Sequence, residues 1–233
     1  MENKNSALIG GIRTFAFSDK NEMLEYISDK KNILIAMNAE KVMKNDPRLK
    51  KIINENIGYS DGFGAVLALK KKGLDAVKIA GAEFWLEIIN KFYKERSFYL
   101  MGATQEVIEN TILKLKEEYP NINIVGYKDG FLDDVAKESL IQELKDKKPD
   151  IVFVAQGSPR QEFLMNDLMK EHSALYMGLG GSYDVYTGLK KRAPKIFINL
   201  NLEWLYRLIK EPTRFGRQIA LVKFMYLLLR KKI

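Results

Sequence analysis

Three stretches of this chain place chemically capable side chains where an apolar run gives way to a helix. The first, Ile151 to Glu162, reads IVFVAQGSPRQE: a β-branched strand, a turn, then Ser158, Pro159 and Gln161. This spells a helix start, with Ser as N-cap, Pro at the first helical position and Gln three residues after the cap. Such an N-terminus offers unpaired N–H groups and positive potential to an anion, and Arg160 adds a full charge. In the second, Ser60-Asp61-Gly62, an ionised Asp61 can accept the proton of an attacking hydroxyl or simply cap the helix that follows. Asn38 stands in the same kind of position and can hold a sugar hydroxyl or act as a cap. Gln161 is divided too, because in a capping box its side chain turns back to the N-cap N–H. The third stretch, Met177 to Asp184 (MGLGGSYD), is a loop whose Gly180, Gly181 and Ser182 permit close backbone approach to a phosphate.

Other chemistries are excluded. The glycine spacing fails the dinucleotide fingerprint, whose third glycine position falls on Tyr183, and this disfavours a nicotinamide-dependent oxidoreductase. There is no P-loop. With no cysteine and a single histidine, His172, the chain has no thiolate nucleophile, disulfide framework, triad or metal cluster, and its cysteine usage fits a reducing cytoplasm.

The elements that must position these residues alternate. Helical spacing appears from Ser18 to Lys31, with Asp19 and Glu22 as a capping pair, then strand over Asn32 to Ala36. A short helix, Ala39 to Lys44, precedes a second one restarted by Asp46-Pro47. Strand Ile57 to Ser60, helix Gly62 to Lys72 and strand Val77 to Ala80 follow, then helix Ala82 to Glu95. The second half continues with strands over Phe98 to Met101, Asn123 to Tyr127, Ile151 to Ala155 and Ala174 to Met177. Helices over Gln105 to Glu118, Asp134 to Asp146 and Pro159 to His172 separate them. This rhythm predicts a Rossmann-like α/β fold, a mostly parallel sheet with helices on both faces. Beyond Tyr186 it stops, so the expected division is a body from residue 1 to about 190 and a helical C-terminal appendage from 191 to 233.

Charge follows the same division. From Lys190 to Ile233 twelve Lys or Arg stand against Glu203 and Glu211, so this segment carries +10 and the rest −2 of the net +8. Aromatics such as Phe197, Trp204, Tyr206, Phe224 and Tyr226 interleave with these cations. That combination suits an interfacial helix on anionic lipid, single-stranded nucleic acid, or an appendage packed on the body with its cations solvated. The apolar run Ile219 to Leu229 is interrupted by Lys223 and is shorter than the ~20 residues a spanning helix needs. The opening MENKNSALIG lacks a signal peptide's charged start and apolar core, so secretion is not expected.

Taken in order, NAEKVM, SDGFGAV, FVAQGSPRQE, MGLGGSYDVYTGLKKRAP and LEWLYRLIKEPTRFGRQ resemble the WecG/TagA/CpsF family of bacterial glycosyltransferases over nearly the whole chain. The resemblance implies a metal-independent, inverting transferase with no cofactor. It would move a sugar from a UDP-sugar, often UDP-N-acetylmannosamine, to a polyprenyl-diphosphate-linked saccharide in cell-surface polysaccharide biosynthesis. The expected location is cytoplasmic, peripheral on the inner face of the membrane. Carried over by residue, Asp61 matches the catalytic base, Gln161 the glutamine of the P-[KR]-Q-E motif and Asp184 the acid of G-G-[ST]-[FY]-D. Arg207, Arg214 and Arg217 match appendage arginines that close over the site and neutralise the diphosphate. Three departures bear on the donor. Ala36-Met37-Asn38 replaces the usual T-P-N, Lys78 replaces an Arg and with it bidentate geometry, and Gln156 replaces an apolar residue. N-acetylmannosamine, another hexose or a hexuronate are thus all open. So is the oligomeric state, a homo-oligomer included. The alternative function is a nucleotide-binding α/β protein with an RNA-binding tail.

Overall fold

A Gly10-Gly11 pair, both in the left-handed region (φ 59° and 77°), reverses the chain between β1 (Ser6–Ile9) and β2 (Ile12–Phe15). The antiparallel hairpin it makes is not anticipated by the strand–helix rhythm, which starts only at Ser18. The computed structural model describes residues 5–191, 193–194, 196–197, 203–210, 215–230 and 232–233.

After the hairpin come α1 (Lys20–Ile27), β3 (Ile33–Met37), α2 (Ala39–Met43), α3 (Pro47–Glu55), β4 (Ile57–Ser60), α4 (Phe63–Lys71) and α5 (Gly81–Phe92). Then follow β5 (Ser97–Gly102), α6 (Gln105–Glu118), β6 (Asn123–Lys128), α7 (Asp134–Lys147), β7 (Ile151–Ala155), α8 (Arg160–Glu171), β8 (Leu175–Gly178) and α9 (Ser182–Tyr186). In the tail lie α10 (Glu203–Lys210) and α11 (Phe215–Leu229). The helix starts are local chemistry. Asp19, Asn38, Asp46, Thr104 and Asp133 each accept a backbone N–H of the first turn.

The strands form one eight-stranded sheet in the order β1-β2-β4-β3-β8-β7-β5-β6, parallel throughout except for the β1–β2 pair. Each face carries an apolar layer, and β7 shows why the sequence reads as a continuous apolar run. Val152 and Val154 enter the layer with Leu164, Met165 and Leu140, while Ile151, Phe153 and Ala155 enter the other with Trp85, Ile108 and Tyr183. Trp85 is its aromatic centre, edge-on to Phe153, Tyr183 and Tyr186 at 5.7, 5.6 and 5.2 Å.

The helices leaving β3 and β8 go to opposite faces: Val42 of α2 joins one layer, Tyr183 of α9 the other. A crevice therefore opens where the carboxyl ends of β3 and β8 meet, the usual ligand position in an open α/β sheet. Residues Val77 to Ala80, expected as a strand, are not one. Val77 N–H donates to Phe17 O and Ile79 N–H to Ser60 O, but β4 is already paired with β2 and β3, so the segment crosses the sheet end instead of extending it.

The last helix shares the core of the body. Phe224 and Leu228 of α11 are fully buried with residues of α2 and α4, and Lys71 Nζ donates to Leu228 O at 2.9 Å. Gly64 makes room for the Phe224 ring, which a Cβ there would approach to 3.0 Å. Phe224→Ala should therefore destabilise the whole fold by roughly 3–5 kcal/mol in urea denaturation; a loss below about 1 kcal/mol would mean that α11 is only loosely docked.

Candidate active site

Asn38 and Asp61 stand side by side at the ends of neighbouring strands. The backbone N–H groups of Asp61 and Gly62 both donate to Met37 O at 3.1 Å, and a Cβ on Gly62 would lie 3.1 Å from that of Asn38. Asn38 caps α2, its Oδ1 accepting Lys41 N–H at 2.9 Å. Asp61 does not cap the helix that follows it. Gly62 is the N-cap of α4, while Asp61 Oδ1 accepts Gly81 N–H, at the start of α5, at 2.8 Å. The α5 N-terminus thus turns its positive end to the carboxylate, which stands where a general base would be needed. Ala36 and Lys78 border the same place. Ala36 Cβ and Asp61 Oδ1 would each lie 3.7 Å from a Cβ on Gly81. Half-buried Lys78 sits on the segment that crosses the end of β4.

Beneath this pair lies Tyr59, completely buried, its hydroxyl 2.7 Å from where a Cβ on Gly81 would be and without a hydrogen-bond partner among the described residues. Burial, then the nearby charges of Asp61 and Glu162, push its pKa well above the ordinary tyrosine value, so the phenol stays neutral.

Two loops form the other wall. Gly157, after β7, and Gly180, after β8, both have left-handed backbones (φ 76° and 59°), and among the described residues a Cβ on either would meet no atom within 4 Å beyond its chain neighbours. Their outer faces are open to a ligand. Ser158, expected as N-cap, lies one residue too early. Pro159, whose ring has no hydrogen-bonding atom, takes the cap position of α8, and the turn is closed by Gln161 N–H donating to Gly157 O and Gly157 N–H donating to Gln161 Oε1. Gln161 therefore makes no capping box with Ser158. Its Oε1 also accepts Gly180 N–H at 2.9 Å, joining the two loops.

Gln161 leans in turn on an ion pair that motif reading overlooks. Lys41 Nζ, on α2, donates to Glu162 Oε1, on α8, at 2.7 Å, and these side chains are 7% and 1% exposed. Gln161 Nε2 donates to the same oxygen at 3.3 Å. Removing one partner of such a pair costs roughly 3–5 kcal/mol, since the other is left as an uncompensated buried charge. A sequence signal existed: Lys41 and Glu162 each fall beside core positions, Val42 on α2 and Met165 on α8.

The remaining expected residues also lie at the carboxyl edge. Gln156 Nε2 donates to Gly130 O at 2.8 Å and pins the β6–α7 loop to β7. Ser182 is buried, its hydroxyl donating to Leu179 O at 2.6 Å, and Gly181 is the N-cap of α9. Asp184 pairs with Lys190 Nζ at 2.7 Å. Arg160 opens α8 and is exposed. Arg214 lies outside the described residues, as do the side chains of Arg207 and Arg217 on α10 and α11. Among the described residues no three His, Cys, Asp or Glu side chains are grouped to hold a metal ion.

A cavity of about 440 Å³ opens at the opposite, amino-terminal edge, lined in part by Lys31, Arg96, Lys148 and Asp150. Four helices, α1, α5, α7 and α8, end there, and Arg96 donates to Ser28 O at the end of α1 at 2.9 Å. Asp150 is held ionised: burial alone would raise its pKa, but bonds from Ser97 N–H and Oγ and the charges of Arg96 and Lys31 bring it below the usual value.

Because the Tyr59 hydroxyl is buried without a partner, Tyr59→Phe should leave stability unchanged or raise it by about 1 kcal/mol in urea denaturation. A loss of that size would show that the hydroxyl bonds a group inside the site.

A model of the glycosyl transferase WecG/TagA/CpsF family matches residues 9–233. The chain belongs to that family, the glycosyltransferases of cell-surface polysaccharide biosynthesis.

Proposed function

We propose that this glycosyltransferase is an inverting hexosyltransferase moving a sugar from a UDP-sugar to a polyprenyl-diphosphate-linked saccharide. The observation that carries the reading is the pairing of Asp61, set against the α5 N-terminus, with the open faces of Gly157 and Gly180. Strands lie about 4.8 Å apart, so Asp61, just beyond β4, stands roughly 10 Å from the β8 loop, two strands away. A diphosphate resting on the glycine faces would direct the anomeric carbon of its sugar towards Asp61 and Asn38.

In the reaction Asp61 takes the proton of the acceptor hydroxyl as that oxygen bonds to the anomeric carbon. The bond from that carbon to the β-phosphate oxygen breaks on the opposite side, and UDP leaves with the electron pair. Its growing charge would meet Arg160 at the head of α8 and Arg207, Arg214 and Arg217 of the tail; preorganised charge of this kind is commonly a large catalytic contribution. Lys78, Gln156, Gly181, Ser182 and Asp184 complete the donor pocket, directly or through the loops they tie. Ala36 bears on the donor, since a Thr hydroxyl there would stand beside the Asp61 carboxylate, and the donor class spans UDP-N-acetylmannosamine, another UDP-hexose or a UDP-hexuronate.

Membrane attachment at the cytoplasmic face would come from α11. Opposite its buried Phe224 and Leu228, it exposes Ile219, Val222, Tyr226 and Leu229 on one stripe beside Lys223 and Arg230. Among the described residues no helix is long and apolar enough to cross a membrane.

Asp61→Asn should lower transfer by about 10²–10⁴-fold with UDP affinity kept; a wild-type rate would remove Asp61 from the base role. Lys223→Glu with Arg230→Glu should reduce sedimentation with anionic vesicles. If the wild-type chain instead binds RNA and ignores vesicles at matched salt, the tail serves nucleic acid and the alternative reading holds.

A further inference from the structure

Every hydrogen-bonding position of Gln161 facing the loops is already occupied. A side-chain carbonyl oxygen has two lone pairs, and Gln161 Oε1 receives Gly157 N–H at 3.1 Å and Gly180 N–H at 2.9 Å. Its amide nitrogen donates to Glu162 Oε1 and packs so closely on Gly178 that a Cβ there would collide with it. At 6% exposure the side chain offers a ligand almost no surface. Glu162, in turn, is fixed by Lys41 from across the crevice. One continuous relay thus runs from α2 through Glu162 and Gln161 to the backbone of both glycine loops.

We propose that Gln161 is a positioning residue, held by Glu162 and Lys41, whose task is to fix the separation of the Gly157 and Gly180 loops and thereby the width of the diphosphate seat. The inference rests on the UDP-sugar reading for the identity of the ligand, but not for the existence of the relay. The relay acts on donor binding, because it shapes the seat and touches neither the reacting carbon nor the acceptor oxygen. It also explains why a Lys and a Glu stand buried here, where apolar side chains could fill the space without the cost of desolvating two charges.

The test has two parts on the full-length protein. In amide hydrogen exchange followed by NMR, Gln161→Leu should speed exchange at Gly157 and Gly180 by about tenfold, while Val154 and Met177 in the neighbouring strands keep their protection. In steady-state kinetics with UDP-sugar, the double replacement Lys41→Met with Glu162→Leu should raise KM for the donor, and the Kd for UDP, by about tenfold at little change in kcat. Its melting temperature should stay near wild type, because a buried ion pair replaced by apolar groups is often neutral in stability. A purely structural relay would move the melting temperature and leave KM alone, and that result overturns the proposal. Unchanged exchange at both glycines also overturns it, even if the double variant fails to fold. If wild-type protein binds no UDP, the functional reading fails by itself, and the exchange experiment still decides whether the relay exists.

Discussion

Two opposite charges withdrawn from water, Lys41 and Glu162, hold the carboxyl edge of the sheet together. Their 2.7 Å contact joins a short helix after β3 to a longer helix after β7, on the two sides of the crevice. Through Gln161 the same contact reaches the loops after β7 and β8. A pair this deeply buried contributes little net stability against an apolar alternative, but it is costly to break one-sidedly. That asymmetry fits an element whose value is geometric. The glycine loops have left-handed backbones, and beyond the last backbone bond between their strands, Leu179 N–H to Val154 O, the Gln161 side chain ties one to the other.

Helix α2 is where the demands of the site and of the tail meet. At its N-terminus Asn38 faces the crevice, at its middle Lys41 enters the relay, and Val42 lies in the layer that receives Phe224 and Leu228 of α11. The same five-residue helix therefore touches the reacting end of the proposed site and the helix proposed to rest on the membrane. On the other side of Asp61, the α5 N-terminus turns its positive end to the carboxylate through the Gly81 N–H.

Most of the sheet was legible because its central strands are continuous apolar runs buried on two faces and five of the helices begin at a capping side chain. Ile57–Ser60, Ile151–Ala155 and Gln105–Glu118 appear with the expected bounds. Val77 to Ala80 has the composition of a strand, but both neighbours of β4 are already in place, a tertiary fact no local pattern contains. At the site, the positions of Asn38, Asp61 and Gly180 were readable from strand-to-helix junctions. What their atoms do was less so. Asp61 supports a helix twenty residues further on, Ser158 yields the cap position to Pro159, and Gln161 reaches Gly157 and a loop on the next strand. The Lys41–Glu162 pair joins residues far apart in the chain, and its one local trace was a charge beside a core position.

Whether UDP seats at the carboxyl edge is answered directly by ligand mapping with NMR. When isotope-labelled protein is titrated with UDP, backbone amide shifts should concentrate at Asn38, Asp61, Gly157, Gly180 and Gly181 and saturate together. Shifts that concentrate instead around Lys31, Lys148 and Asp150 at the amino-terminal cavity, or that never saturate anywhere, would contradict a seat at the carboxyl edge.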